Sequence, residues 1–283
     1  MREAIRQRLI QSIPSVNGQV LDLSHEPEAA AKPYLLLIQG SDTQGYGWLG
    51  IRRKYEVWIY AGYDAGFGEV DLLAESVVQA LDGCTLQEES TGTAFVCRYD
   101  RSVHGDRRNE VRAAVARGLR FSVWGLPKPG ESTAHAGDSW LAALGDRSAA
   151  WLGSGWQVRL GTWSADLARP SVLWRIQNVE TGAANSSFYE LKKRVIGHFA
   201  ADTPAEEAAA VCEVAERLQA ERKIPLASEP GVYLTVENFQ ADLSVDGLTA
   251  GQAAVTLSRR MRRASETAPL MRQVSIYPEE IER

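Results

Sequence analysis

The feature that most constrains this chain is that it is written twice. "GQVLDL" at Gly18 has a counterpart in "WQVRLG" at Trp156, and "AKPYLLLI" at Ala31 has one in "ARPSVLWRI" at Ala168. Pro33 maps to Pro170 and Gln19 to Gln157. Further on, "VRAAVARGL" at Val111 maps to "GQAAVTLSR" at Gly251, which sets Ala113 on Ala253. Marks in one order at a nearly constant offset are the signature of a duplicated unit, which restricts the fold to two like bodies rather than one large core. Between the copies lies "LPKPGESTAHAG", Leu126 to Gly137, whose prolines, glycines and small polar residues read as a linker. The chain therefore divides into a domain over 1–126, a linker over 127–137 and a diverged second copy over 138–283.

Each copy carries the same succession of patterns. Ile5, Leu9 and Ile13 fall at helical spacing, with Arg2 and Arg6 off the stripe. "GQVLDL" is a short strand, and Tyr34 to Ile38 form a buried one after Pro33. In "RKYEVWIYA", Tyr55, Val57 and Ile59 alternate with Glu56, Trp58 and Tyr60, as strand residues do. "GEVDLLAESVVQAL" is a helix burying Val70, Leu73, Val77 and Leu81. "TAFVCRYD" and a long alternating run from Val111 to Val123 close the copy with two strands.

The second copy opens with a helix at "DSWLAAL", where Ser139 can act as the cap. Strands follow at Trp156 to Leu160, Val172 to Asn178 and Lys192 to Ala200. Thr203, Pro204 and Glu206 then form a capping box at the head of a helix whose buried stripe is Val211, Ala215 and Leu218. Two more strands cover Val232 to Phe239 and Ala253 to Met261, and the tail "MRQVSIYPEE" can add a short one. The expected class is α+β: two tandem similar domains, each a mixed or antiparallel sheet with helices packed on one face.

"GYGWLG", Gly45 to Gly50, matches the dinucleotide pattern G-x-G-x-x-G. That pattern binds a pyrophosphate only when a helix opens at its last glycine and offers its free N–H groups. Here strand-patterned "IRRKYEVWIYA" follows, and the second copy has "ETGAANSSFYE" in the same place. No nucleotide, and no other cofactor, is expected. The stretch instead reads as a loop carrying Tyr46 and Trp48 beside Arg52, Arg53 and Lys54. The second copy repeats the idea with Phe188 and Tyr189, then Lys192, Lys193 and Arg194. Aromatics next to cations on a loop suit a surface that faces another subunit. The plainer alternative is that Trp48 folds back onto its own core.

Catalytic chemistry finds little support. His25, His104, His135 and His198 are scattered, with no partner at metal-ligand spacing, and His198 reads as a packed or half-exposed ring. Cys84, Cys97 and Cys212 are too far apart for a metal pair and read as buried free thiols. "RSVHGDRRNE" reads as a solvated turn and "SRRMRR" as an exposed strand end. Arg107 and Arg108 in the first, and Arg259 and Arg260 in the second, are also candidates for lining a DNA passage. The net charge of −5 argues against a general nucleic-acid binder. No apolar stretch approaches the roughly 18 residues of a membrane helix. With no signal-peptide core in "MREAIRQRLI", the expected site of synthesis is the cytoplasm. No matched acid, base and nucleophile is present, so an enzyme is not expected.

Pro33 and Tyr34 heading an apolar strand, the strand "RRKYEVWIYAGY" with Trp58 and Tyr60, the helix after it and the closing "VRAAVARGLRFSVW" together resemble the tail terminator, or tail completion, proteins of tailed bacteriophages and contractile particles. The likeness covers about residues 1–125, and through the repeat it extends to 138–263. It implies a structural virion protein, made in the host cytoplasm and residing in the tail. Its subunits form a ring, usually six-fold, that caps the tail tube protein, stops its polymerisation and meets a neck, connector or sheath protein, with DNA passing only as cargo. This chain departs from the pattern by carrying two copies, so the ring can hold three chains or six. Five tryptophans, Trp140, Trp151, Trp156, Trp163 and Trp174, fall in the second copy or at its start and suggest a separate contact surface there. A neck, connector or baseplate adaptor is the nearest alternative, and a ligand-binding module using the cleft between the copies is a further one.

Overall fold

The computed structural model describes residues 1–25, 30–127, 137–165, 167–227, 229 and 231–263. The linker from 128 to 136 and the suggested strand over 271–280 lie outside the described residues.

Two six-stranded sheets are formed, and each takes its strands from one half of the chain. In the first half the order along the chain is α1 (Arg2–Ser12), β1 (Val20–Asp22), β2 (Tyr34–Tyr46), β3 (Gly50–Gly62), α2 (Gly66–Leu81), β4 (Thr85–Gln87), β5 (Ala94–Asn109) and β6 (Ala114–Gly125). The second half repeats it with α3 (Ser139–Leu152), β7 (Gln157–Leu160), β8 (Ser171–Ala184), β9 (Phe188–Ala200), α4 (Pro204–Glu221), β10 (Lys223–Pro225), β11 (Tyr233–Ala241) and β12 (Ala253–Arg262). The sheet orders are β1-β2-β3-β6-β5-β4 and β10-β11-β12-β9-β8-β7, the same order read from opposite ends. In each, the first strand pairs in parallel and the rest are antiparallel. This is the expected α+β plan.

Register fixes the equivalence residue by residue. Val20 pairs with Leu35 and Val158 with Val172, so Gln19 does match Gln157, and Pro33 matches Pro170. Both prolines follow a cis peptide bond. The third mark does not hold. Leu119 pairs with Val57, and Ala253 with Gly197 at the equivalent place. Ala253 therefore stands where Leu119 stands, while Ala113 lies in the turn before β6 with φ 43°. The run "AAV" occurs in both copies but at different points of the strand.

Each half has its own core on the helix side of its sheet. The first buries Ile5 and Leu9 of α1, Val70 and Val77 of α2, Leu35 and Leu37, Tyr55, Val57 and Ile59, and Leu119, Phe121 and Val123. The second buries Val172 and Trp174, Val195 and Phe199, Val211, Val214 and Leu218, and Ala253, Val255 and Leu257. At about 1.5–3 kcal/mol for each large apolar side chain, either set can sustain a core alone. One cross-strand pair exchanges bulk between the copies. Leu37 faces Val57 in the first, and Trp174 faces Gly197 in the second.

Several local expectations are corrected. The α3 cap is Asp138, whose Oδ1 accepts from the N–H groups of Trp140 (3.0 Å) and Leu141 (3.2 Å), rather than Ser139. Thr203 caps α4 as expected, accepting from Glu206 N–H at 3.2 Å, but Val214 and not Ala215 completes the stripe. "RSVHGDRRNE" is not a turn. It continues β5, with a register shift at His104 and Gly105, both at positive φ, while Val111 sits exposed in the turn that follows. The edge strands β4 and β10 went unread because three residues carry too little periodicity.

Candidate assembly interface

The glycine stretch is the tip of a β-hairpin. β2 runs to Tyr46 and β3 starts at Gly50, so only Gly47, Trp48 and Leu49 turn. The glycines answer to sterics. A Cβ on Gly45 would run into the Gly50 carbonyl, and one on Gly50, at φ +94°, into the carbonyl of Gly125. Two backbones cross where side chains have no room. No helix starts there; the strand β3 does.

That tip does not face solvent with its aromatic. Trp48 meets the second half of the same chain and not the core of its own domain. Its ring lies 4.4 Å from the His198 ring, and the Arg175 guanidinium sits 4.4 Å from its centroid. Its carbonyl accepts from Trp163 N–H at 3.0 Å. Around it an apolar cluster spans the halves: Leu49, Ala94, Val96, Trp124 and Leu126 from the first, with Trp163, Leu173, Ala200 and Leu248 from the second. Arg98 pairs with Asp246 across the junction, and Arg169 donates to the Gly83 carbonyl at 3.1 Å. The contact is head to tail. A hairpin tip and the adjoining strand ends of one domain press on the outer face of β8 and β9 in the other, the face away from the helices.

His198 lies at the centre of this contact, fully buried. Its Nε2 accepts from Arg175 Nε at 2.9 Å, which leaves Nδ1 to carry the proton and donate to the Gly247 carbonyl at 2.8 Å. Burial first, and the neighbouring Arg175 charge second, push its pKa down to about 3. A neutral imidazole with both nitrogens committed is a packed ring, as expected from the sequence, and not a general base.

The remaining aromatic and basic candidates are distributed over both hairpins. Tyr46 stays exposed and stacks on Trp48 (5.6 Å) and Trp124 (6.0 Å). Arg52 donates to Ser122 Oγ from both Nε (3.0 Å) and Nη2 (2.6 Å), and lies over the Trp124 ring. Arg53 pairs with Asp42 at 3.3 Å, and Lys54 packs against Gly40. In the second hairpin, Asn185 Oδ1 accepts from Ser187 and Phe188 N–H, both at 2.9 Å, closing a polar turn. Arg260 covers the Phe188 ring at 4.3 Å and Arg263 the Tyr189 ring at 5.6 Å. Lys192 is held by Glu237 at 2.8 Å, Lys193 is bound to Asp138 under the Trp140 ring, and Arg194 is exposed.

The two basic pairs sit at different ends of their sheets. Arg107 and Arg108 lie near the start of β6, over the rings of Trp58 (5.9 Å) and Tyr63 (4.4 Å), whereas Arg259, paired with Glu229 at 2.5 Å, and Arg260 lie near the end of β12. Among the described residues no three His, Cys, Asp or Glu side chains come together as a metal would need, and no helix is long and apolar enough to cross a membrane. Of the cysteines only Cys97 is buried, with its thiol pushed up by burial; Cys84 is half-buried and Cys212 exposed. Of the second copy's tryptophans, four belong to its core and Trp163 belongs to the cluster between the halves. Trp140 and Trp174 are buried in that core, Trp151 and Trp156 pack partly buried against it, and Trp163 is buried at the junction. The cleft between the halves is filled by the apolar cluster, leaving at its rim an open dent of about 470 Å³ that Arg52, Arg98, Asp100 and Asp246 line.

No known family pattern matches the chain, and no curated protein matches it. Among solved structures it is similar to a chain of the virion of a native gene transfer agent particle, at 20% identity and a TM-score of 0.36, over 44% of this chain and 93% of that one.

Proposed function

We propose that this protein is a structural subunit of a phage or phage-tail-like particle, and that it closes a ring at the head-proximal end of the tail tube. In this reading the ring stops tube polymerisation, joins the tail to the neck, and takes no part in a chemical reaction. The observation that carries it is the head-to-tail docking of one domain on its twin, with Trp48 of the first against His198 of the second. A heterologous contact between like units repeats until the rotation closes, and closure ends growth. With two units per chain, three chains supply six. The sequence resemblance to tail terminators supplies the place of that ring, and the tube protein and a neck, connector or sheath protein are its proposed partners. DNA is cargo for the channel.

Electron microscopy of particles assembled without the protein tests the assignment. Tubes of uncontrolled length support it. Tubes of normal length that lack heads point to a connector, and normal particles remove both.

A further inference from the structure

We propose that the dent on the outer face of the first sheet is the docking site for the second domain of another copy of this chain. The inference rests on the ring reading above and names the surfaces that build the ring. The dent holds about 420 Å³, lined by Leu36, Trp58 and Tyr60 and by the end of β5 and the turn after it, from Arg107 to Arg112. Register makes it the counterpart of the face that receives Trp48. Leu36 stands where Leu173 stands, Trp58 where His198 stands, and Tyr60 where Ala200 stands. Within one chain the second face is covered by the first domain, whereas the first face, with Leu36 and Tyr60 buried by their own domain and Trp58 half-exposed, borders an open volume.

Three differences between the copies fit an occupant that is the second domain. The first is bulk. Inside the chain a large tip, Trp48, meets a histidine and an arginine, whereas Trp58 and Ile38 take those two places in the dent and the equivalent tip is the small polar turn Asn185–Ser187. The bulk has moved from tip to face, as it moved between Leu37–Val57 and Trp174–Gly197 in the cores. The second is charge. Arg98 of the first domain meets Asp246 in the loop before β12. Next to Val236, the match of Cys97, the second domain carries Glu237, bulged out of register and held by Lys192, and the end of β5 with the turn after it carries Arg107, Arg108 and Arg112. An acidic group on the second domain and a basic cluster on the first thus take the places of Arg98 and Asp246 with the signs exchanged. The third is exposure. Tyr233 occupies the place of Ala94, which the contact within the chain buries, yet Tyr233 is 52% exposed. A large aromatic left in water at the position that its twin buries is a contact residue awaiting its surface.

A photo-cross-linking amino acid in place of Leu23 tests this on the full chain. Leu23 is 61% exposed on the rim of the dent. Mixing isotope-labelled with unlabelled protein identifies cross-links between chains. The expected product joins position 23 to residues 185–190 or 233–237 of a different chain. Tyr233→Asp, on the opposite surface, is expected to weaken association about tenfold, a change of about 1.4 kcal/mol, with the monomer's melting temperature unchanged. Assembled protein that cross-links within one chain, or first domain to first domain, overturns the inference and leaves the ring reading standing. So does a Tyr233→Asp variant that assembles normally. A chain that stays monomeric at every concentration, alone and with tube protein, overturns both.

Discussion

Trp48 and His198, one from each copy, lie with ring centroids 4.4 Å apart and tilted by 43°. Their contact, with Arg175 against the same indole, locks two otherwise complete cores together. Truncating a large half-buried aromatic at such a junction costs about 2–3 kcal/mol. Trp48→Ala is therefore expected to uncouple the halves while leaving each folded. Calorimetry of the variant should resolve two transitions where the parent has one. A single transition at the parent temperature would show that the apolar cluster holds without it.

The buried histidine makes this junction sensitive to acid. In the fold His198 titrates near 3, while in the unfolded chain it titrates near 6.5. Between those values the unfolded state binds a proton that the folded state refuses, so stability falls as pH falls, by up to about 1.4 kcal/mol per pH unit. Above 6.5 the group adds no pH dependence. Melting temperature measured from pH 7 to pH 5 should decline in the parent, and the decline should flatten in His198→Gln. Parallel curves for the two proteins would remove His198 as the cause.

Gly197 gives up its side chain to Trp174. A Cβ there would lie 2.5 Å from Trp174 Cζ3, inside a core with no slack. Gly197→Ala should destabilise by about 1–3 kcal/mol. Gly118→Ala, where a Cβ would lie 2.8 Å from Trp58, pushes instead on a half-exposed ring and should cost less. Denaturant unfolding of both variants settles the order.

The cap of α3 separates two neighbouring residues. Asp138 accepts two backbone N–H groups and holds Lys193, whereas Ser139 makes neither contact. Asp138→Ala should lose about 2 kcal/mol, the cap and a charge partner together, and Ser139→Ala less than about 0.5 kcal/mol. Equal losses in urea titrations would contradict the assignment.

The duplication, both cores and most elements were legible because each rests on local periodicity. Tyr55, Val57 and Ile59 alternate, and α2 buries the four residues its spacing selects. Contacts between distant segments were not legible. The cap on α3 depended on which of two adjacent polar side chains points back, and β5 ran through "RSVHGDRRNE" because β6 was there to pair with it. Trp48 carried the right signal, an aromatic beside cations on a turn, but sequence cannot say whether its surface belongs to the same chain or to the next. The ion pairs that absorb Arg53, Lys192, Lys193 and Arg259 were likewise invisible, because their partners lie on other strands or loops.

Native mass spectrometry of the purified protein tests the central claim, that one head-to-tail contact is made within the chain and again between chains. The account predicts a closed assembly of three chains, each of 31.1 kDa, with no species growing beyond it. A monomer at all concentrations, or a dimer joined by identical surfaces, would contradict it.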